Sequence, residues 1–300
     1  MASPITDLEK PDWLKVRYSS SSAVANLREV MRREGLRTVC DSSQCPNLGE
    51  CWGKGNATML ILGNVCTRHC RFCSVPQGLP GGSVDGTEAE KVARAVKALK
   101  LRYVVLTSVT RDDLADGGAS VFARTVRAID SLSPETRIEL LIPDLDGNWD
   151  ALEQIIRSEP DVIGHNVEVV RSLQKSVRDP RADYHRSLSL LRKIKSSDPR
   201  MITKSSLMLG LGEERQEVME CMRDLREAHV DALAIGQYLR PRGGELPVVR
   251  YIPPEEFKEL KTIAGSLGFA HVESGPFVRS SYRAEEAFNS FARGREDAYR

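Results

Sequence analysis

The chain has 300 residues, of which 41% are hydrophobic and 28% are charged, a balance typical of globular proteins with a substantial core. The 43 Lys and Arg and the 42 Asp and Glu residues leave a net charge of +1, which argues against a nucleic-acid partner, because such binding requires a strongly basic face. No apolar run approaches the ~20 residues of a membrane span, and the first residues do not resemble a signal peptide, so we expect a cytoplasmic protein without a membrane partner.

In chain order, the first 35 or so residues are polar and contain one helical stretch that ends near Arg33. Beyond the cysteine-rich segment, short apolar runs predict six strands, at residues 59–63, 103–106, 138–142, 161–163, 201–203 and 233–235. Helical periodicity predicts helices after Thr87, near 118–130, through Leu152 and Ile155, and near 184–196, 213–228 and from Pro254 onwards. Thr87 and Glu90 predict a capping box at the first of these helices.

Strands that alternate with helices indicate parallel βαβ units. Six such units without a glycine-rich dinucleotide fingerprint favour an α/β fold of the partial (β/α)6 TIM-barrel type over a doubly wound sheet. We predict an N-terminal extension over residues 1–55, the barrel over 56–270 and a C-terminal tail over 271–300. In such barrels the chemistry lies at the carboxyl ends of the strands, and Cys66 follows the first predicted strand.

Six of the seven cysteines lie between residues 40 and 73. An odd cysteine count without a signal peptide favours metal or cluster ligation over disulfide bonds. The seventh, Cys221, shares a helix face with Val218, Met222 and Leu225. We therefore expect Cys221 to be a buried core residue.

The 66–73 triad, which comprises Cys66, Cys70 and Cys73, has the spacing C-x3-C-x2-C. Closely spaced thiolates are typical of iron–sulfur sites, whereas structural zinc normally takes four protein ligands, and His69 inside the loop is badly placed to be the fourth. Three thiolates leave one iron of a four-iron cluster open, and reductive cleavage of S-adenosylmethionine (SAM) requires such an iron. The motif, with Phe72 before its last cysteine, resembles the signature of the radical SAM superfamily.

The 40–51 triad, which comprises Cys40, Cys45 and Cys51, has the spacing C-x4-C-x5-C. Spacing alone leaves two interpretations open, namely a second cluster that stores electrons or stabilises the fold, and a sacrificial source of sulfur. The segment CDSSQCPNLGECW, followed by ATMLILGNVCTRHCRFCSV, resembles the lipoyl synthase family. The resemblance continues over nearly the whole chain, through residues 11–14, 107–114, 116–119, 165–168, 203–205, 209–213, 235–239 and 279–282.

This resemblance implies that the 66–73 triad binds the cluster that cleaves SAM and that the 40–51 triad binds an auxiliary four-iron cluster. It implies Ser281, in the segment Arg-Ser-Ser-Tyr, as the fourth auxiliary ligand, with Ser280 as the alternative. A seryl oxygen is a harder ligand than a thiolate, so the iron that it holds should be the first to leave a cluster that is dismantled.

The implied reaction inserts two sulfur atoms at carbons 6 and 8 of an octanoyl group on a lysine of a lipoyl carrier domain. Because these carbons carry no activating group, the reaction needs the 5′-deoxyadenosyl radical that SAM cleavage gives. The implied cofactors are two four-iron clusters and SAM. The implied partners are an octanoylated carrier, which is a dehydrogenase-complex E2 subunit or the glycine-cleavage H protein, and a low-potential electron donor such as ferredoxin or flavodoxin.

Several polar residues follow predicted strands, where a barrel places its ligands. For Asn166, Glu168 and Lys204, the sequence supports contacts to SAM and a structural role in helix capping or surface solvation equally well. Phe72 is a further expected contact to the cofactor. One member of the segment 111–113 is equally expected to bind cofactor while the others hold the loop. Gln237 and Tyr238 end the sixth strand on the expected substrate side, and His165 is expected to be a hydrogen-bonded core residue.

One segment departs from the family pattern, since Glu245 precedes Leu-Pro-Val where the family usually has a histidine. No role of that histidine can be carried over, although no cluster ligand is affected. The alternatives within enzymes are proteins similar to biotin synthase or to a transfer-RNA methylthiotransferase. The alternative outside enzymes is a zinc or iron–sulfur binding module, which metal analysis with optical absorption would distinguish.

Overall fold

The structure is a computed structural model, and it describes residues 8–15, 22–42, 45–81, 84–241 and 245–298. The strands are β1 (Arg37–Thr38), β2 (Asn56–Ile61), β3 (Tyr103–Ser108), β4 (Arg137–Leu141), β5 (Val162–Gly164), β6 (Ile202–Leu209), β7 (Ala232–Gln237) and β8 (His271–Gly275). The α-helices are α1 (Ser22–Glu34), α2 (Val39–Ser42), α3 (Leu48–Gly53), α4 (Glu88–Leu99), α5 (Ala119–Leu132), α6 (Trp149–Ile156), α7 (Gln174–Val177), α8 (Tyr184–Ser197), α9 (Arg215–Glu227), α10 (Pro254–Ser266) and α11 (Ala284–Ala298). Short 3-10 turns lie at Asp12–Leu14, Leu145–Gly147 and Arg171–Leu173.

The strands form one sheet in which spatial order follows chain order from β1 to β8. Strands β2 to β8 are parallel, and β1 pairs with β2 in the antiparallel direction. Thr58 of β2 and Gly236 of β7 line the same cavity, although four strands separate them in the sheet. The sheet therefore curls around an interior space as a partial barrel.

The α/β partial barrel predicted from the sequence is confirmed, and all six predicted strands are present. Two strands were not predicted. The first, β1, is only two residues long, and β8 (HVESG) contains a single apolar side chain, that of Val272, between polar neighbours. The sheet thus continues into the segment assigned to the tail.

Two local predictions were wrong. Strand β2 ends at Ile61 and not at residue 63, because Leu62 has a φ of 66°, which lies outside the range of extended backbone. Thr87 does precede α4, but its side chain makes no capping hydrogen bond. Instead, the backbone N–H and the hydroxyl of Thr87 both donate to Asp85, at 2.8 and 2.7 Å.

The core consists of two large apolar clusters on the outer face of the sheet. One joins α4, α5 and α6 to strands β2 to β5, and the other joins α8, α9 and α10 to strands β6 to β8. Cys221 on α9 is 1% exposed within the second cluster, as predicted. Among the residues that the structure describes, no helix is both long enough and apolar enough to cross a membrane.

Candidate functional site: a cavity shared by two cysteine triads

The inner face of the barrel encloses a cavity of about 670 Å³. All six clustered cysteines line it, and their thiols are free of disulfide bonds. Ser280 and Ser281 line the same cavity from the C-terminal segment. The structure thus brings together two triads and two serines that are up to 241 positions apart in the sequence.

The 66–73 triad lies on the loop that follows β2, and the first turn of this loop is held from both sides. The backbone N–H of Leu62 donates to Glu88 at 2.9 Å, and its carbonyl accepts from Arg111 at 3.3 Å. Gly118, with a φ of +91°, packs so closely that a Cβ there would lie 2.2 Å from a Leu62 methyl carbon. The turn therefore requires glycine at position 118.

A buried ion-pair network holds the middle of this loop. The Arg68 side chain is 4% exposed and donates to Asp112 at 2.9 Å and to Asp144 at 2.8 Å. Asp112 also accepts from the Thr67 hydroxyl at 2.9 Å. These bonds tie the loop to the ends of β3 and β4, so in the segment 111–113, Arg111 and Asp112 hold loop backbone and side chains.

Asp179, which follows α7, contacts the loop next to its second cysteine. Its carboxylate accepts from the backbone N–H of His69 at 2.7 Å, and its own N–H donates to the Cys70 Sγ at 3.4 Å. A second N–H, that of Arg68, donates to the Cys66 Sγ at 3.4 Å. Such N–H···S bonds are typical of cluster-binding loops. The His69 side chain is 59% exposed and does not line the cavity.

Burial raises the pKa of the Cys73 thiol to about 12, and the neighbouring cysteines add to this shift. In the other triad, burial first and then the neighbouring cysteines raise the pKa of Cys40 to about 11 and of Cys51 to about 12. These side chains are therefore neutral thiols near pH 7 in the unloaded protein. Because iron binds thiolates, loading either triad must release protons.

The 40–51 triad is closed by the C-terminal segment. The Asn47 side chain donates to the Phe277 carbonyl at 2.6 Å, and the Tyr282 hydroxyl donates to Glu50 at 3.2 Å. On the opposite side, the segment lies directly on β7. A Cβ at Gly236 would lie 2.1 Å from the Val278 carbonyl oxygen, so only glycine permits this approach.

On the side of the 66–73 triad, Asn166, Glu168 and Arg178 line the cavity. The Asn166 amide donates to Glu168 at 3.2 Å. Burial raises the pKa of Glu168, and Arg178 partly opposes this shift.

Arg178 is 8% exposed, and its Nε has no hydrogen-bond partner among the described residues. Its Nη1 donates to the Val167 carbonyl, the Gln174 side-chain carbonyl and the Ser187 hydroxyl, at 3.4, 3.3 and 3.4 Å. Arg178 was not predicted as a site residue, because its burial depends on tertiary packing.

Lys204 lies elsewhere. It does not line the cavity, and its ammonium group donates to Glu139 at 2.9 and 3.2 Å. The Tyr103 hydroxyl donates to the same carboxylate at 2.7 Å. All three side chains are buried, so they form a closed polar cluster inside the barrel and Lys204 is occupied by an ion pair.

His165 and Gln237 border the cavity, but their polar atoms are satisfied within the protein. The His165 ring contacts the Ile142 carbonyl and the Ser187 hydroxyl, both at 2.9 Å, as expected for a core histidine. Gln237 donates to the carbonyl of Leu209 at 3.2 Å. The Gln237 amide is therefore not free to bind substrate, although it was expected to lie on the substrate side.

Phe72 packs with Tyr238 and Val169 in a small apolar cluster beside the cavity. The Tyr238 hydroxyl donates to the Leu246 carbonyl at 2.8 Å, and the Leu246 N–H donates to the Arg71 carbonyl at 3.0 Å. The segment after Glu245 thus rests on the loop of the 66–73 triad. Residues 242–244 of the preceding glycine-rich loop lie outside the described residues.

Comparison with solved structures shows the fold. Streptococcus suis SuiB bound to S-adenosylmethionine superposes with a TM-score of 0.54 at 10% identity, over 73% of this chain and 50% of that one, so this chain spans half the length of SuiB. Methylornithine synthase superposes with a TM-score of 0.52 at 12% identity, over 83% and 81%. Residues 60–225 match the model of the radical SAM superfamily, and the chain belongs to this superfamily of enzymes.

Within that superfamily, the chain is similar to curated proteins that are all named lipoyl synthase. Lipoyl synthases of Symbiobacterium thermophilum, Methanocella arvoryzae and Geobacillus thermodenitrificans are 53%, 50% and 50% identical to the chain, over 92%, 94% and 99% of its length and 86%, 95% and 99% of theirs. The chain is a member of the lipoyl synthase family. Its reaction is the SAM-dependent, radical-mediated insertion of two sulfur atoms at C6 and C8 of a carrier-bound octanoyl group, with iron–sulfur clusters as cofactors.

Proposed function

We propose that the 66–73 triad holds the four-iron cluster at which SAM is cleaved and that the 40–51 triad, with Ser281, holds the cluster that gives up sulfur. The observation that carries this assignment is the shared cavity, about 670 Å³ in volume, which both triads and both candidate serines line. A substrate carbon in this space has access to both triads without leaving the protein.

The donor sets fit these clusters. The 66–73 triad offers three thiols, and backbone N–H groups already donate to two of its sulfurs. The 40–51 triad offers three thiols with Ser280 and Ser281 on the same cavity. When bound, the clusters and SAM supply the radical that abstracts hydrogen from the substrate and the sulfur that replaces it.

The residues around the 66–73 triad bind and orient SAM in this proposal. Arg178 supplies a cation for its carboxylate, because this buried side chain lines the cavity and no carboxylate of the described residues forms an ion pair with it. Asn166 and Glu168 supply a donor and an acceptor for hydroxyl groups. Phe72 provides an apolar surface for the cofactor. Lys204, which is paired with Glu139, is left out of this contact set.

The middle of the cavity binds the octanoyl chain. Val105, Leu141 and Met208, from β3, β4 and β6, are apolar residues of the cavity lining. An alkyl chain packed against them is removed from water, which favours its binding and keeps water away from the reacting carbons.

The finer assignments of partner, location and segment rest on family resemblance and cysteine usage. The carrier is a dehydrogenase-complex E2 subunit or the glycine-cleavage H protein, and the electron donor is ferredoxin or flavodoxin. A cytoplasmic location agrees with a chain whose cysteines serve as cluster ligands. We propose three functional segments, residues 1–55 with the 40–51 triad, the barrel over 56–270, and 271–300 with the serines, the last of which begins with barrel strand β8.

An anaerobic assay with an octanoyl-lysyl peptide tests this assignment. The reconstituted protein should contain two four-iron clusters and should form both 5′-deoxyadenosine and the dithiolane product. Cys40→Ala should still form 5′-deoxyadenosine but no dithiolane, whereas Cys66→Ala should form neither. Cys221→Ala is the matched control, because it removes a buried thiol away from the cavity, and its iron content should be unchanged. One cluster per chain, or dithiolane product from Cys40→Ala, would refute the proposal.

A further inference from the structure

Arg279 is a cation on the cavity wall without an acidic partner. It lines the cavity, and its Nη1 donates to the carbonyl of Val278 at 2.7 Å. No carboxylate of the described residues forms an ion pair with it. Arg68, which also lines the cavity, differs in that it forms ion pairs with Asp112 and Asp144.

Arg279 lies close to strand β7. A Cβ at Gly236 would lie 2.1 Å from the Val278 carbonyl oxygen and 3.5 Å from the Arg279 Nη1. The missing side chain at position 236 therefore lets the guanidinium lie over the inner face of the sheet. The Asn47–Phe277 hydrogen bond, 2.6 Å long, fixes the same segment to the loop between Cys45 and Cys51. Arg279 is therefore held in place by contacts of its segment with β7 and with this loop.

The 40–51 triad lies next to the segment that carries Arg279. Arg279 and all three cysteines of this triad line the same cavity, and the Asn47–Phe277 hydrogen bond holds the segment of Arg279 against the loop between Cys45 and Cys51. Arg279 is half-buried, and a cation that is partly withdrawn from water is stabilised by a nearby anion. Three thiolates and a seryl oxygen around a four-iron cluster form an anion in the required place.

We propose that Arg279 is the fixed counter-cation of the auxiliary cluster, a positioning residue that retains this cluster on the protein and raises its reduction potential. The inference rests on the proposed assignment of the 40–51 triad. The proposed role of Arg279 differs from that of Ser281, two positions later. The serine provides a ligand to one iron, whereas the arginine compensates the charge of the whole cluster, because cluster potentials depend on net charge and surroundings.

The test is a redox titration of the auxiliary cluster alone. In the full-length chain with Cys66, Cys70 and Cys73 changed to Ala, the midpoint potential is followed by electron paramagnetic resonance, together with iron per chain. Arg279→Gln should shift the potential to a more negative value, and Arg279→Lys should restore most of the shift. Arg102→Gln is the matched control, because Arg102 is 69% exposed and pairs with Glu285 on the surface. Its potential should be unchanged.

Each outcome decides the question. Full iron and an unchanged potential in Arg279→Gln would overturn the proposal, as would a potential in Arg279→Lys shifted as far as in Arg279→Gln. If Arg279→Gln loads little iron, unfolding temperatures of the unloaded proteins show whether it folds. Loading rescued by Arg279→Lys supports the proposal, whereas loss of iron in both variants overturns it. If the variant without the 66–73 triad but with native Arg279 holds no four-iron cluster, the proposed auxiliary site itself is refuted. This outcome differs from failure of the Arg279 proposal, in which the cluster is present.

Discussion

The side-chain amide of Asn47 donates a 2.6 Å hydrogen bond to the carbonyl oxygen of Phe277, a residue 230 positions further along the chain. Asn47 lies between Cys45 and Cys51, and Phe277 lies four residues before Ser281. This bond therefore joins the two parts of the proposed auxiliary site, which come from opposite ends of the chain.

Asn47→Asp should weaken this junction. An aspartate has no N–H to donate, so the partly buried Phe277 carbonyl loses its partner, at a cost of about 1 kcal/mol. The variant should unfold at lower urea concentration when unloaded, and should hold less iron on the 40–51 triad. Asn26→Asp is the control, because Asn26 is exposed on α1 and the same charge is added there. Equal iron content in both variants would show that the junction does not assemble the site.

Long-range contacts of this kind explain what the sequence could not predict. The cysteine spacing and the alternation of strands and helices are local patterns, and they predicted the barrel and both triads. Strand β8 was missed because Val272 is its single apolar residue, and its pairing with β7 depends on a neighbour 39 positions away. The burial of Arg178 and the Lys204–Glu139 pair could not be predicted either, because both depend on which residues the fold brings together.

The two serines of the C-terminal segment should differ in their effects. In the background that lacks the 66–73 triad, Ser281→Ala removes the proposed oxygen ligand, so the auxiliary cluster should lose iron readily and Mössbauer spectra should show a three-iron species. Ser280→Ala should retain the four-iron spectrum, and it is the matched control because Ser280 lines the same cavity. The reverse result would assign the ligand to Ser280, and loss in neither variant would remove serine from the ligand set.

Gly118→Ala should distort the turn before the 66–73 triad. The new Cβ would lie 2.2 Å from a Leu62 methyl carbon, at a φ of +91°, and overpacking together with this backbone conformation should cost at least about 2 kcal/mol. Urea unfolding of the unloaded protein measures this loss. Gly86→Ala should change little, since nothing lies within 4 Å of its Cβ position. Similar free energies of unfolding for both variants would contradict the inferred close packing.

His165 should make the unloaded protein less stable below neutral pH. Burial first, and then the positive charge of Arg178, lower the pKa of His165 from 6.5 to about 4. Between these values the unfolded chain binds the proton and the folded one does not, so the free energy of unfolding falls as pH falls through this window, by about 3 kcal/mol in total. His165→Gln should remove this part of the pH dependence. His185→Gln on the surface of α8 should preserve it, and an unaltered pH profile in His165→Gln would contradict the prediction.

Variants of Lys204 distinguish a structural ion pair with Glu139 from a contact to the cofactor. The ammonium group lies 2.9 Å from Glu139, with both side chains buried, so Lys204→Met leaves an uncompensated carboxylate and should cost about 3–5 kcal/mol of stability in the absence of any cofactor. Adding Glu139→Gln to this variant should recover much of the loss, because the unpaired charge is then gone, while Tyr103 can still donate to the amide oxygen. Equilibrium SAM binding to the reconstituted double variant should match that of the native protein. If instead the unloaded Lys204→Met protein is as stable as the native one, and only SAM affinity falls, Lys204 acts on the cofactor and the closed polar cluster is not its function.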